Sequence, residues 1–143
     1  MREPPVIPTV EKILTQDGFL PWWVTQLVIG AAEVQLELYC ENLPDHRFLV
    51  DAAQFIASLE ADEEGLRNAL GDDIARHYGH MAEKSGQLTN ALLASDMALK
   101  RVARWDDGDF LLTYQLTRFS ISEHQFVIGE FDLNHRLNYS NLS

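Results

Sequence analysis

Residues 33–41, EVQLELYCE, alternate strictly between apolar and polar side chains. Successive side chains of a β-strand point to opposite faces, so this period places Val34, Leu36, Leu38 and Cys40 on one face. The other face carries Glu33, Gln35, Glu37, Tyr39 and Glu41. A strand that is apolar on one side only is typical of an antiparallel sheet with one covered face.

Further strand patterns lie on both sides of a central region. The β-branched run VTQLVIG at 24–30 precedes a Gly-Ala-Ala turn, so residues 22–41 are predicted to form a hairpin. Residues 97–142 predict an antiparallel meander, in which DDGD at 106–109 forms the first turn. Together these segments predict a sheet of about five or six strands, two before the central region and three or four after it.

The central region, residues 45–85, has helical periodicity and is predicted to form a helix pair. The stripe of the first helix consists of Phe48, Ala52, Phe55, Ile56 and Leu59. The acidic residues 62–64 suit the positive end of a helix dipole, so a second helix is expected to begin there. Strands grouped around helices indicate an α+β fold, with the helix pair packed on one face of an antiparallel sheet.

Length and composition predict one domain with an acidic surface. The chain has 143 residues, of which 46% are hydrophobic, and a net charge of −11 from 22 acidic and 11 basic residues. This charge repels phosphate backbones and anionic lipids, so neither nucleic acid nor a membrane is an expected partner. A basic protein is the partner that the charge favours. Residues 1–8, which contain three prolines, are predicted to form an extended arm.

Cysteine content and hydropathy favour a cytoplasmic location. Cys40 is the single cysteine, which excludes an intramolecular disulfide, and its place in the alternation predicts burial. The prolines near the start interrupt any apolar signal sequence, and no run approaches the ~20 apolar residues that span a bilayer.

No catalytic, cofactor-binding or metal-binding residue is predicted. Phosphate-binding glycine motifs and nucleophile elbows are absent from the sequence. His77, His80 and Glu83 recur at three-residue steps but lack the spacing of a zinc helix, and a core position is expected for His77. Glu123 and His124 pair an acid with a base, but neighbours on a strand point to opposite faces. A structural role in a turn is therefore expected for that pair.

Acidic and aromatic side chains are the remaining functional signal. Six carboxylates lie between residues 60 and 73 against one arginine, and three more lie in the DDGD turn. A tyrosine flanked by acids on the polar strand face suits a basic surface. The predicted partner-binding residues are Glu37, Tyr39, Glu41, Asp62, Glu63, Glu64, Asp72, Asp73, Asp106, Asp107 and Asp109. Trp22, Trp23 and Trp105 are expected in core or sheet-edge packing.

The order of elements, with ARHY at 75–78 closing the helical region and Glu-His at 123–124 before a strand, resembles small bacterial immunity-type proteins. These proteins are encoded beside secreted antibacterial toxins and act by binding. Many relatives have a glycine after the Glu-His pair, where this chain has Gln125. The resemblance covers most of the chain as a pattern of elements and transfers no functional residue.

The function expected from sequence is therefore that of a non-enzymatic immunity protein that neutralises a toxin. Two alternatives stay open. A small acidic secretion chaperone has similar size and charge and would form a homodimer around an extended peptide of a secreted effector. A small metal-dependent enzyme would use His77, His80 and Glu83, or Glu123 and His124.

Overall fold

The structure is a computed structural model that describes residues 15–16, 22–41, 45–78, 90–118, 120–121 and 123–143. The predicted arm, and the candidate ligands His80 and Glu83, lie outside these residues.

The fold is α+β and mostly sheet, which confirms the predicted class. The strands are β1 (Thr15–Gln16), β2 (Trp22–Ile29), β3 (Ala32–Tyr39), β4 (Met97–Arg104), β5 (Phe110–Leu116), β6 (Phe126–Phe131) and β7 (Leu137–Leu142), and the helices are α1 (His46–Tyr78) and α2 (Asn90–Asp96). The sheet places the strands in chain order, from the two-residue β1 to β7.

The sheet is mixed, so the prediction of an antiparallel sheet is wrong at one strand pair. β3 and β4 run parallel, with Leu36 opposite Val102 and Leu38 opposite Arg104, whereas the other neighbours are antiparallel. A parallel pair needs a long crossover, and the chain between these strands includes α1 and α2. Alternation within one strand is the same for either direction of its neighbour, so it did not reveal this pairing.

The predicted helix pair is also wrong, because α1 is one helix of 33 residues. Asp45 caps it, since its Oδ1 accepts a hydrogen bond from the Phe48 amide at 2.9 Å. The acidic residues 62–64 lie inside the helix rather than at a second start. No proline interrupts them, and alanine and glutamate are good helix formers. The buried stripe ends at Leu59 and resumes at Leu66, and the half-buried Glu63 lies between them on the same side of the helix.

The core lies between α1, α2 and one face of the sheet. Its aromatic centre is Phe110, whose ring centroid is 5.1 Å from that of Phe55 on α1 and 5.5 Å from that of Phe131 on β6. Val34, Leu36 and Leu38 of β3 are buried in the same cluster, as their alternation predicts. The polar alternates of β3 therefore lie on the opposite face of the sheet.

A buried carboxylate joins α2 to the end of β5. Asp96 is 2% exposed and accepts hydrogen bonds from the Thr117 hydroxyl at 2.7 Å and from the Arg118 amide at 2.8 Å. The Arg118 Nε donates a further bond at 3.0 Å. These donors satisfy a charge that would otherwise be costly to bury.

We expect Asp96→Ala to lower the free energy of unfolding by about 2–3 kcal/mol, because the buried donors lose their acceptor. Asp96→Asn keeps an acceptor oxygen and is expected to lose less. Glu64→Ala, at an exposed position of α1, serves as a control that changes stability by less than about 0.5 kcal/mol. Urea denaturation measures all three variants, and equal effects of Asp96→Ala and Glu64→Ala would contradict the assignment.

The contact between α1 and α2 depends on a glycine. A Cβ atom on Gly71 would lie 3.3 Å from the Ala94 Cβ and 3.5 Å from the Ala94 backbone nitrogen. The two helices therefore meet where one side chain is missing. Gly65, on the same helix, faces open space.

This difference predicts opposite effects for the same substitution. Gly71→Leu is expected to destabilise the protein by about 1–3 kcal/mol through overpacking against α2. Gly65→Leu is expected to be neutral or to stabilise by up to about 1 kcal/mol, because leucine has the higher helix propensity. Urea denaturation of both variants tests the contact; a Gly71→Leu protein as stable as Gly65→Leu would show that α2 does not pack there.

Candidate functional site

The parallel pair of strands creates a pocket at one end of the sheet. β3 ends at Tyr39 and β4 ends at Arg104, and parallel strands place their carboxyl ends at the same edge. The first turns of α1 close the opposite side through Phe48 and Asp51. The cavity has a volume of about 260 Å³, and we call it the Tyr39 pocket. It is lined by Leu38, Tyr39, Cys40, Glu41, Phe48, Asp51, Arg104, Trp105 and Asp106.

Three aromatic rings meet beside this pocket. The Trp22 ring lies 5.5 Å from that of Tyr39 and 5.6 Å from that of Trp105, with interplanar angles of 80° in both pairs. Edge-to-face contacts of this kind are favourable and fix the orientation of the rings. The neighbouring Trp23 donates its indole N–H to the Cys40 carbonyl at 3.0 Å. Tyr39 and Trp105 are thus held as walls of the pocket by contacts from β2.

One of the pocket's carboxylates is matched by an arginine. Arg104 Nη1 donates to Asp51 Oδ2 at 2.7 Å, and the guanidinium carbon lies 4.7 Å from the centroid of the Phe55 ring. Glu41 and Asp106 are exposed, and within the part of the chain that the structure describes neither forms an ion pair. With one cation against three carboxylates, the pocket has an excess of negative charge.

The Tyr39 hydroxyl is part of this acidic environment. It donates a hydrogen bond to Glu41 Oε1 at 2.9 Å. This hydrogen bond raises the pKa of Tyr39 above its ordinary value, with smaller contributions from desolvation and from the negative charges of Glu41 and Asp106. The phenol therefore stays protonated at neutral pH and keeps its donor role.

The pocket brings together three of the predicted partner-binding residues, Tyr39, Glu41 and Asp106, from two distant parts of the sequence. Glu37, predicted to belong to the same row, is only 8% exposed and forms an ion pair with Arg101 of β4. Its carboxylate connects the two parallel strands.

The predicted acids of α1 differ in their exposure and in the contacts that they make. Glu63 accepts a hydrogen bond from the buried Tyr114 hydroxyl at 2.9 Å, and burial together with this carboxylate raises the pKa of Tyr114. Asp62 lies 2.9 Å from His135 Nδ1. Glu64 and Asp72 are exposed on the helix.

Asp73, Asp107 and Asp109, the remaining predicted acids, also form contacts within the chain. Asp73 bonds Arg76 at 3.0 Å and accepts a hydrogen bond from Ser140. Asp107 accepts a hydrogen bond from the Asp109 amide at 2.9 Å within the turn after β4, which leaves both near the pocket but outside its lining.

Sequence reasoning missed several pocket residues. Trp105, expected in core or sheet-edge packing, is half-buried and lines the cavity, while Asp51 and Arg104 had no functional signal. Cys40 was expected to be buried, but it follows the last residue of β3, is half-buried and lines the pocket. The strand ends at Tyr39, two residues before the alternation does, so Cys40 lies beyond the strand.

The histidine candidates take structural positions. His77 was expected in the core, yet it is exposed, and its Nδ1 lies 2.8 Å from the Asp73 carbonyl oxygen one turn earlier. Glu123 has a φ of 69° within the turn that pairs Ile121 with His124. Among the residues that the structure describes, no three His, Cys, Asp or Glu side chains are grouped as a metal site would require.

Comparison of the chain with protein-family models, with curated proteins and with solved structures finds no match. In the described part of the chain, neither helix combines the length and the hydropathy needed to cross a bilayer.

The Tyr39 hydroxyl provides a direct test of the pocket's electrostatics. Glu41→Ala removes the hydrogen-bond acceptor and the nearer charge, so the pKa of Tyr39 is expected to fall toward its ordinary value. Asp106→Asn removes only the weaker electrostatic effect and is expected to lower the pKa less. Titration of the tyrosine Cζ carbons by ¹³C NMR measures both variants. A Tyr39 pKa that does not change in Glu41→Ala would contradict the hydrogen bond.

Proposed function

We propose that this chain is a non-enzymatic, cytoplasmic immunity protein that binds a basic bacterial toxin and neutralises it. The observation that carries the proposal is the Tyr39 pocket, where aromatic rings and uncompensated carboxylates lie together at one end of the sheet. The order of strand and helix patterns in the sequence, which resembles that of small immunity-type proteins, agrees with this proposal.

The two kinds of pocket residue have separate roles in this proposal. Exposed carboxylates such as Glu41 and Asp106 attract a basic surface and increase the rate of encounter. Large aromatic side chains in a partly desolvated centre, here Tyr39 and Trp105, slow the dissociation of the complex. The net charge of −11 extends the attraction beyond the pocket.

The structure narrows the set of acids that this proposal uses. Glu37, Glu63 and Asp73 form ion pairs or hydrogen bonds with other residues of this chain, so we assign them to fold stability. Glu41, Asp106 and Glu64 are exposed and are assigned to the partner surface.

The proposal predicts that an adjacent reading frame encodes the toxin, and the test uses the protein encoded there. Toxin activity titrated with the purified protein is expected to fall to zero at a fixed molar ratio near equality, because a binding protein is consumed as it inhibits. Loss of toxin activity at substoichiometric amounts, or no binding between the two proteins, would contradict the proposal.

The association rate gives a second measurement. Between about 0.03 M and 0.3 M salt it is expected to fall about tenfold or more, since screening shortens the reach of the carboxylates. The dissociation rate is expected to change much less. An association rate that is independent of salt would contradict the electrostatic role of the acidic surface.

A further inference from the structure

We propose that the Tyr39 pocket binds one arginine side chain of the partner, with its guanidinium against the rings of Tyr39 and Trp105 and hydrogen-bonded to the carboxylates of Glu41 and Asp106. This inference rests on the proposed function, because it specifies the part of the partner that the pocket recognises.

Charge complementarity is the first argument. Arg104 and Asp51 neutralise each other at 2.7 Å, and the Phe55 ring covers the guanidinium. The remaining carboxylates, Glu41 and Asp106, belong to separate segments, one after β3 and the other after β4. Two acceptors on different segments match a group with several donors in one plane.

The aromatic walls are the second argument. A guanidinium stacks on tyrosine and tryptophan faces better than a strongly hydrated ammonium does. Trp22 contacts both Tyr39 and Trp105, so the two rings are already oriented before a partner arrives. The Tyr39 hydroxyl also orients Glu41 through its hydrogen bond.

The size of the cavity is the third argument. Its volume of about 260 Å³ lies below the ~300–1,000 Å³ of pockets that enclose small-molecule ligands. A single long side chain fits this space. Leu38 and Phe48 provide apolar contacts for the aliphatic part of that side chain, as amphipathic cations require.

The probe is the capped peptide acetyl-Gly-Arg-Gly-amide, titrated into the full ¹⁵N-labelled chain. We expect saturable shifts of the Trp105 indole signal and of the Glu41 and Asp106 amides. The matching Gly-Lys-Gly peptide is expected to bind at least about threefold more weakly, and Gly-Gln-Gly not to bind. Equal binding of the lysine and arginine peptides would overturn the assignment to arginine, and shifts confined to α1 would overturn the assignment to this pocket.

Two double variants with the same change in net charge test the site. The double variant Glu41→Gln with Asp106→Asn is expected to bind the arginine peptide with about tenfold lower affinity. Glu33→Gln with Glu123→Gln removes two exposed carboxylates outside the proposed partner surface and is expected to change affinity by less than about twofold. Equal losses in the two variants would mean that overall charge, not the pocket, attracts the peptide. Matching amide spectra of the free proteins check that both variants fold.

Toxin titration separates this inference from the proposed function. If the pocket variant neutralises toxin as well as the control variant does, the arginine assignment is overturned while the immunity function stands. If the arginine peptide binds as expected but no toxin is neutralised, the proposed function fails and the arginine site stands.

Discussion

The parallel pairing of β3 with β4 is the constraint on which the rest of the structure depends. The crossover between them carries α1 over the core face of the sheet, and it brings Tyr39 and Arg104 to the same edge. An antiparallel pairing would have put the end of β3 beside the start of β4 at Met97, more than 20 Å away from Trp105 at ~3.3 Å per residue. The pocket, its aromatic walls and its excess of carboxylates all follow from the direction of one strand.

An acidic chain must limit self-repulsion, and this protein does so by giving many carboxylates local donors. Asp96 receives backbone and side-chain donors, Glu37 lies against Arg101, and Glu63 accepts from Tyr114. Each of these groups is buried or half-buried, where an unmatched charge would be costly. Glu33, Glu64 and Asp106 lie at exposed positions, where water stabilises their charge. The division between fold and surface is therefore set by burial, which charge counting in the sequence does not measure.

Local patterns predicted local structure well. The alternation at 33–41 corresponds to β3, because burying one face of a strand requires apolar residues at every second position. The direction of a strand relative to its neighbour cannot be predicted in this way, because side chains alternate with a period of two in both parallel and antiparallel sheets. The prediction that a second helix begins at residues 62–64 was wrong for a related reason. Acidic residues suit a helix start, but they are equally compatible with a helix interior, and Gly65, which follows them, keeps a negative φ and lies inside α1.

The candidate site was predictable only in part, because its residues come from three segments that tertiary structure brings together. Tyr39 and Glu41 stood out as a tyrosine flanked by acids, and Asp106 as part of a polar turn, but nothing in the sequence indicated that they are neighbours. Trp22 and Trp105 were expected in core or sheet-edge packing, which did not indicate a role in a pocket. Trp105 is half-buried where it lines the pocket, and Trp22 is half-buried where its ring contacts those of Tyr39 and Trp105. The chemical character of the site was therefore visible in composition, whereas its location depended on the crossover.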